Sequence, residues 1–235
     1  MSEIIFVHGA GLDSRAWVRQ TRFFTDSVAV DLPGHGGSAT AALDDVTDYA
    51  KWLGEEIRKL SAGPVTLAGH SLGCLIVLET AARNPDFVDH LVLIAASAAM
   101  PVHRELMAAA AEKDPAAAAM ILKWSLAQPR YGQPKSWVRD IEESFVAAAK
   151  GGALAMDLVA CDSYADATKT AAAVQCPTLL ILGERDIMTK PTAAQPLAAA
   201  LKDARIVMIE NGGHMLPLEN AAAVNETITL FLGNP

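Results

Sequence analysis

A serine stands between two glycines in the segment Gly69-His70-Ser71-Leu72-Gly73. The apolar run 65–68 precedes this G-x-S-x-G pattern, and the helix-like stretch 74–83 follows it. Glycines at these two places allow a tight, strained turn that lifts a serine oxygen above the end of a strand. The dipole of the following helix and the N–H of Leu72 would then face an oxyanion formed at that serine. The pattern predicts Ser71 as the nucleophile of an acyl transfer, with an ordinary turn as the alternative.

A serine hydroxyl is a weak nucleophile unless a base removes its proton. One of the six histidines follows the last strand-like run of the chain: His214, in the glycine-flanked loop 211–215 between a run ending near Ile209 and a final helix beginning near Glu219. The others occur earlier in the chain and are His8, His35, His70, His90 and His103. We therefore predict His214 as the base, and an exposed loop histidine without a catalytic role is the alternative.

The acid that orients the base should follow a strand at the same edge of the sheet and precede the histidine in the chain. Asp186 does so, because the turn Gly183-Glu184-Arg185-Asp186 comes directly after the apolar run 178–182. Asp186 is the predicted acid. Three other carboxylates remain alternatives, namely Glu184, Asp31 and Asp162.

The elements that must position these side chains alternate along the chain. Six apolar runs of strand length lie at residues 4–7, 28–30, 65–68, 91–95, 178–182 and 205–209. Long or helix-like segments separate them, among them an amphipathic stretch that starts at Val46 and stops at Gly63-Pro64. Strands alternating with helices predict an α/β fold, with a mostly parallel sheet of about six strands and helices on both faces.

Residues 100–174 interrupt this alternation. They are rich in alanine, keep a helical period and contain no convincing strand. Pro129, Pro134 and Gly151-Gly152 divide them into about three or four helices. We predict a helical cap, or lid, inserted into a core domain made of residues 1–99 and 175–235.

Composition limits the partners. The chain has 235 residues, 51% of them hydrophobic, and its 19 Lys and Arg against 27 Asp and Glu give a net charge of −8. This charge repels phosphate backbones and anionic lipid surfaces, so neither nucleic acid nor a membrane is expected as a partner. The beginning Met1-Ser2-Glu3 has no secretory pattern, and we expect a cytoplasmic protein.

Cys74, Cys161 and Cys176 lack zinc-site spacing and are predicted to be buried free thiols, with no metal site.

Five motifs in register resemble the α/β-hydrolase superfamily. They are His8-Gly9-Ala10-Gly11, the segment 31–38 (DLPGHGGS), the elbow 69–73, Gly183 with Asp186, and Gly213-His214. The chain order serine, aspartate, histidine agrees with that superfamily. The resemblance covers nearly the whole chain and implies the α/β-hydrolase fold, with the cap as a lid after the sixth of the family's eight strands.

The resemblance also implies roles around the nucleophile. The N–H of Ala10 should pair with that of Leu72 to form the oxyanion hole, with Gly11 as the weaker alternative, and His8 should brace the loop. The sequence begins at what would be the family's third strand. The next strand would then form an exposed sheet edge that a second copy could cover as a homodimer.

The function implied is that of a carboxylesterase, a serine esterase that acts on small-molecule esters and requires no metal or organic cofactor. A hydrolase of carbon-carbon bonds in β-diketones or dienones is the enzymatic alternative, and it would need cationic groups such as Arg130, Arg139 or Lys123. A ligand-sensing protein with slow turnover is the alternative from another class.

The expected substrate-binding residues are apolar and lie near the motifs. They are Leu12, Met100, Trp124, Met188 and Met215. Flexible methionines favour a modest, adaptable pocket, so we expect acyl chains from acetate to about octanoate.

Overall fold

The computed structural model describes residues 3–126 and 135–233, with the backbone alone for residues 135 and 136. Within these ranges six strands form one fully parallel sheet in the order β2-β1-β3-β4-β5-β6. The strands are β1 (Ile4–Val7), β2 (Ser27–Val30), β3 (Val65–His70), β4 (Val88–Ile94), β5 (Thr178–Gly183) and β6 (Ala204–Ile209). Each predicted run is a strand, so the predicted sheet is confirmed. The strand β3 continues two residues further than expected, into the glycine-serine motif.

The helices of the described residues follow in chain order. They are α1 (Val18–Thr21), α2 (Val46–Leu60), α3 (Leu72–Arg83), α4 (Arg104–Ala111), α5 (Pro115–Ser125), α6 (Lys135–Gly151), α7 (Ala153–Ser163), α8 (Ala167–Ala173), α9 (Gln195–Ala200), α10 (Leu216–Glu219) and α11 (Ala221–Phe231). No single helix in the described part is long and apolar enough to cross a membrane. The pair α6 and α7, bent by 90°, meets those criteria of length and composition only when taken together.

The amphipathic helix α2 shows how sequence signals set an element. The carboxylate of Asp45 accepts the N–H groups of Thr47 and Asp48 and so caps the helix. The buried stripe of α2 follows the helical period and consists of Val46, Tyr49, Ala50, Leu53, Gly54 and Ile57.

Alternating strand residues face two separate cores because the side chains of a strand have a period of two. Ile5, Val7 and Leu67 belong to the core that contains α2, α3, α8 and α9. Ile4 and Phe6 belong to the other core, together with α11 and the helices α4 to α7. The prediction of helices on both faces is therefore confirmed.

Residues 100–174 contain five helices in their described part, α4 to α8, rather than three or four. Pro129 and Pro134, two of the predicted breaks, lie outside the described residues. Gly152, with a φ of 87°, separates α6 from α7 where a break was expected. The last helix, α8, packs on α3 and α9. The boundaries of the cap at residues 99/100 and 174/175 stay a prediction.

The strand β2 lies at one edge of the described sheet and pairs with β1 alone among the described strands. Its four residues are half-buried. The edge expected from the sequence is thus present, and the homodimer that could cover it stays a prediction.

Candidate active site

The nucleophile elbow lies between β3 and α3. Ser71 has a φ of 52° and a ψ of −119°, a strained conformation for a residue with a side chain. A Cβ at Gly69 would collide with the carbonyl oxygen of Gly73, and a Cβ at Gly73 would collide with that of Val7. The N–H of Ser71 donates to the carbonyl of Ile94 at 3.0 Å, which ties the turn to β4. The two glycines therefore let the chain fold back closely enough to present the serine.

His214 and Asp186 form a buried pair at the carboxyl ends of β5 and β6. Nδ1 of His214 lies 2.8 Å from Oδ2 of Asp186, and both side chains are at most 4% exposed. Because the ionised carboxylate can only accept, Nδ1 carries the proton and Nε2 is left free to act as a base.

The turn after Asp186 fixes its carboxylate. Oδ1 accepts the N–H groups of Met188 and Thr189 at 2.8 and 3.0 Å, and the Thr189 hydroxyl lies 2.7 Å from Oδ2. Burial acts to raise the pKa of Asp186, but the charge of His214 and these hydrogen bonds outweigh it and lower the pKa. Asp186 is therefore held as a carboxylate.

The backbone around His214 is anchored from two sides. The N–H groups of His214 and Met215 both donate to the carbonyl of Ser125, the last residue of α5, at 3.1 Å. Nε2 of His70 donates to the carbonyl of His214 at 2.9 Å. Burial, reinforced by the neighbouring His214, lowers the pKa of His70 to about 3, so His70 stays neutral. The backbone of His214 is thus held by the elbow and by a helix of residues 100–174.

The loop after β1 is oriented through the carbonyl of Gly9. This carbonyl accepts Nδ1–H of His8 at 2.9 Å and the N–H of Leu12 at 3.2 Å. The N–H of Leu32 donates to Nε2 of His8 at 3.0 Å, which fixes the ring and its tautomer. A trans peptide directs its N–H opposite to its carbonyl, so the N–H of Ala10 points away from these contacts. Ala10 lines the cavity above Ser71.

The two expected oxyanion donors and their alternative differ in what they contact. Within the described residues no acceptor lies on the N–H of Ala10 or of Leu72. The N–H of Gly11 donates instead to Oδ2 of Asp157 at 2.8 Å. Gly11, the weaker alternative, therefore has its N–H already occupied.

A cavity of about 320 Å³ contains the serine and the histidine. The expected substrate-binding residues Leu12, Met100, Trp124, Met188 and Met215 all line it. Its other described lining residues are Gly9, Ala10, His70, Pro101, Val102, His103, Leu106, Ile121, Ser125, Phe145, Leu158, Cys161, Ile187 and Thr189. Among the described lining residues there is no Lys, Arg, Asp or Glu. The site is suited to an apolar, uncharged ligand.

The three carboxylates that were alternatives to Asp186 accept hydrogen bonds from backbone N–H groups away from His214. Glu184 accepts the N–H of Asn211, and Asp162 accepts the N–H of Val102 at the start of residues 100–174. Asp31 accepts the N–H groups of Ser14 and Gly37. In the described structure Asp186 is the carboxylate that contacts the imidazole of His214.

Two side chains that support the pair were missed in the sequence. Thr189 follows Asp186 by three residues, the spacing at which an aspartate side chain accepts a local N–H, so this signal was available. The sequence marks His70 only as part of the elbow. Its contact with the carbonyl of His214 spans 144 residues and has no local signal.

The cysteines are not activated. Burial raises the pKa of the Cys74 and Cys161 thiols, and it raises that of Cys176 to about 11. Cys176 is half-buried, which corrects the prediction that all three are buried. Within residues 3–126 and 135–233, no three His, Cys, Asp or Glu side chains are grouped so that they could hold a metal ion.

Comparison with known proteins agrees with this geometry. Residues 4–227 match the alpha/beta hydrolase family. The chain belongs to the α/β-hydrolase family. This confirms the resemblance found in the sequence and shows the chain to be a hydrolase of that fold.

Relatives of this α/β-hydrolase carry hydrolase and esterase names. This chain is 26% identical to (E)-2-((N-methylformamido)methylene)succinate hydrolase of Acinetobacter baylyi, and the alignment covers 97% of this chain and 89% of that protein. It is 31% identical to the pimeloyl-[acyl-carrier protein] methyl ester esterase of Chromobacterium violaceum, covering 90% and 87%. A solved structure of a thermophilic esterase superposes with a TM-score of 0.83 at 26% identity, covering 99% and 90%.

Proposed function

We propose that this α/β-hydrolase cleaves small carboxylic esters through an acyl-enzyme on Ser71. The observation that carries the proposal is the 2.8 Å contact between His214 and Asp186 beside an elbow serine in an uncharged cavity. The esterase names of two similar proteins support the same reaction class.

In the proposed cycle Nε2 of His214 takes the hydroxyl proton as Oγ of Ser71 attacks the ester carbonyl. Asp186 stabilises the imidazolium, and the N–H groups of Ala10 and Leu72 stabilise the oxyanion. His214 then protonates the leaving alcohol. Water, activated by the same imidazole, releases the acid.

The carbon-carbon hydrolase alternative would need a cation near the second carbonyl or carboxylate of its substrate. Lys123 is exposed, and Arg139 pairs with Glu143 at 3.1 Å with most of its side chain exposed. Neither lines the described cavity. Arg130 lies outside the described residues. The uncharged lining therefore favours a neutral ester.

The proposal is tested with a panel of aryl and alkyl esters from acetate to palmitate, together with one β-diketone. We expect many turnovers, with kcat/KM rising by up to a few-fold per methylene and then falling beyond about octanoate, because a buried CH₂ contributes ~0.8 kcal/mol until the cavity is full. Ser71→Ala should lower kcat by on the order of 10⁶. A serine-directed phosphonate should label Ser71.

Three results would contradict the proposal in different ways. A higher kcat/KM for the β-diketone than for every ester would support the carbon-carbon hydrolase. A stable covalent adduct without multiple turnover would support the ligand sensor. Labelling of Cys74 by the phosphonate, together with full activity in Ser71→Ala, would rule out Ser71 as the nucleophile.

A further inference from the structure

A buried carboxylate outside the catalytic pair contacts the loop that carries Ala10. Asp157 lies in α7 and is fully buried. Its Oδ2 accepts the N–H of Gly11 at 2.8 Å, and its Oδ1 accepts the hydroxyl of Tyr49 at 2.7 Å. Nε2 of His35 lies 3.0 Å from Oδ2. Burying a carboxylate is costly unless it is paired and hydrogen-bonded, and here both oxygens have partners.

Each contact of Asp157 spans a long stretch of sequence. The hydrogen bond to Gly11 joins residues 146 apart, and the bond to Tyr49 joins residues 108 apart. Asp157 therefore links residues 100–174 to the loop after β1 and to α2. His35 also interacts with Asp157 electrostatically. Burial acts to lower the pKa of His35, but interactions led by the negative charge of Asp157 outweigh it and raise the pKa.

The bond to Gly11 has a geometric consequence for Ala10. The peptide between Gly9 and Ala10 is fixed at its carbonyl by His8 and Leu12. The next peptide, between Ala10 and Gly11, is fixed at its N–H by Asp157. A planar peptide anchored at one atom can still swing about its flanking bonds, but two consecutive anchored peptides restrict that motion. Gly11 adopts a φ of 69° in this turn, a left-handed conformation that glycine reaches without steric cost.

We propose that Asp157 is a positioning residue that, through Gly11, holds the N–H of Ala10 in the orientation that stabilises the oxyanion. Asp157 thereby makes the oxyanion hole depend on the docking of α7. This inference rests on the proposed ester hydrolysis. Asp157 contacts neither Ser71 nor His214 in the described structure, so its effect is exerted through the loop.

The test compares three variants of the full-length protein. Asp157→Leu keeps the branching at Cγ, replaces the two carboxylate oxygens with methyl groups and leaves no acceptor for Gly11. Asp157→Asn keeps one acceptor oxygen for the two donors, the N–H of Gly11 and the hydroxyl of Tyr49. Tyr49→Phe is the matched control, because it removes the other hydrogen bond of Asp157 and leaves the one to Gly11 intact.

We expect kcat on a short ester to fall about 10²–10³-fold in Asp157→Leu, the range found on loss of an oxyanion donor. In Asp157→Asn, which keeps one acceptor, we expect a smaller loss of about tenfold. Tyr49→Phe should stay within about threefold of the wild type, and KM should stay within about threefold in all variants. Thermal unfolding is measured in parallel, and we expect Tm to fall in Tyr49→Phe as well.

A second readout separates positioning from general destabilisation. A short-chain trifluoromethyl ketone forms a tetrahedral adduct with the serine, whereas the matching methyl ketone tests ordinary binding. Asp157→Leu and Asp157→Asn should weaken the first ligand by the same factor as kcat and leave the second unchanged.

Equal losses of kcat in Asp157→Asn and Tyr49→Phe would overturn the inference, because kcat would then follow stability alone. That comparison also decides the matter if Asp157→Leu does not fold. Failure of the proposed function has a different signature, since the wild type itself would then show no ester turnover or Ser71→Ala would stay active.

Discussion

The carboxylate of Asp186 divides its two oxygens between two tasks. Oδ1 accepts two N–H groups of its own turn, and Oδ2 faces the imidazole of His214 and the hydroxyl of Thr189. These two local hydrogen bonds direct the side chain towards the histidine. A group oriented in this way can fix the tautomer of the base without further adjustment.

At this scale we predict that Asp186→Asn lowers kcat by about 10⁴, because the amide stabilises the wrong tautomer of His214. Asp162→Asn is the matched control, since Asp162 contacts the N–H of Val102 on an exposed segment. Steady-state kinetics on one ester measure both. Loss of activity in Asp162→Asn with an active Asp186→Asn would move the acid into residues 100–174.

At the scale of elements, the elbow depends on how closely two segments of chain approach. Ser71 keeps its strained φ because the backbones of β3 and α3 approach each other closely at Gly69 and Gly73. The carbonyl of Val7 also lies close to Gly73. The strain is sustained by packing on both sides, since both elements are buried in the core.

Gly69→Ala should therefore destabilise the protein by at least about 3 kcal/mol, because the new methyl group meets backbone atoms that cannot move aside. Gly63→Ala should change the free energy of unfolding by less than about 1 kcal/mol, since a Cβ there has no neighbour within 4 Å. Urea unfolding of both variants gives the comparison. A similar stability for the two would show that the elbow can relax.

The helices of residues 100–174 reach both halves of the site. The end of α5 holds the backbone of His214 through the Ser125 carbonyl, and α7 reaches the oxyanion loop through Asp157. These contacts join the helices to the loops that carry His214 and Ala10 by buried hydrogen bonds. A helical segment bound in this way acts as part of the site's framework.

At the scale of the whole molecule, two buried histidines make folding sensitive to acid. Burial, reinforced by neighbouring histidines, lowers the pKa of His8 to about 4 and that of His70 to about 3. Between those values and the unfolded pKa of about 6.5, these two side chains bind more protons in the unfolded chain than in the folded one. Stability must then fall as the pH falls through this window.

We predict that the free energy of unfolding decreases from pH 6 to pH 5 with a slope that His8 and His70 each raise by up to about 1.4 kcal/mol per pH unit. His35, whose pKa is raised, acts with the opposite sign, and it does so mainly above about pH 6, where the unfolded chain begins to lose that proton. Asp186, whose pKa is lowered, titrates below this window and does not contribute there. Urea unfolding at several pH values measures the slope. His70→Gln should flatten it.

The sequence by itself determined the elements and the order of the reactive groups. The six apolar runs became the six strands, and Ser71, Asp186 and His214 follow β3, β5 and β6. Since the strands are parallel, the segments after their carboxyl ends meet at one edge of the sheet. Hydrophobic periodicity and the positions of glycines are local features of the sequence, and they suffice to predict where strands, helices and turns lie along the chain.

Only the tertiary structure decided which groups support that site. The contacts of Asp157 with Gly11, of Ser125 with His214, and of His70 with the same histidine join segments about 90 to 146 residues apart. No period or turn signal encodes such a distance, because the partners meet only when separate layers pack. The number of helices in residues 100–174, the occupied N–H of Gly11 and the uncharged lining of the cavity were settled by that packing.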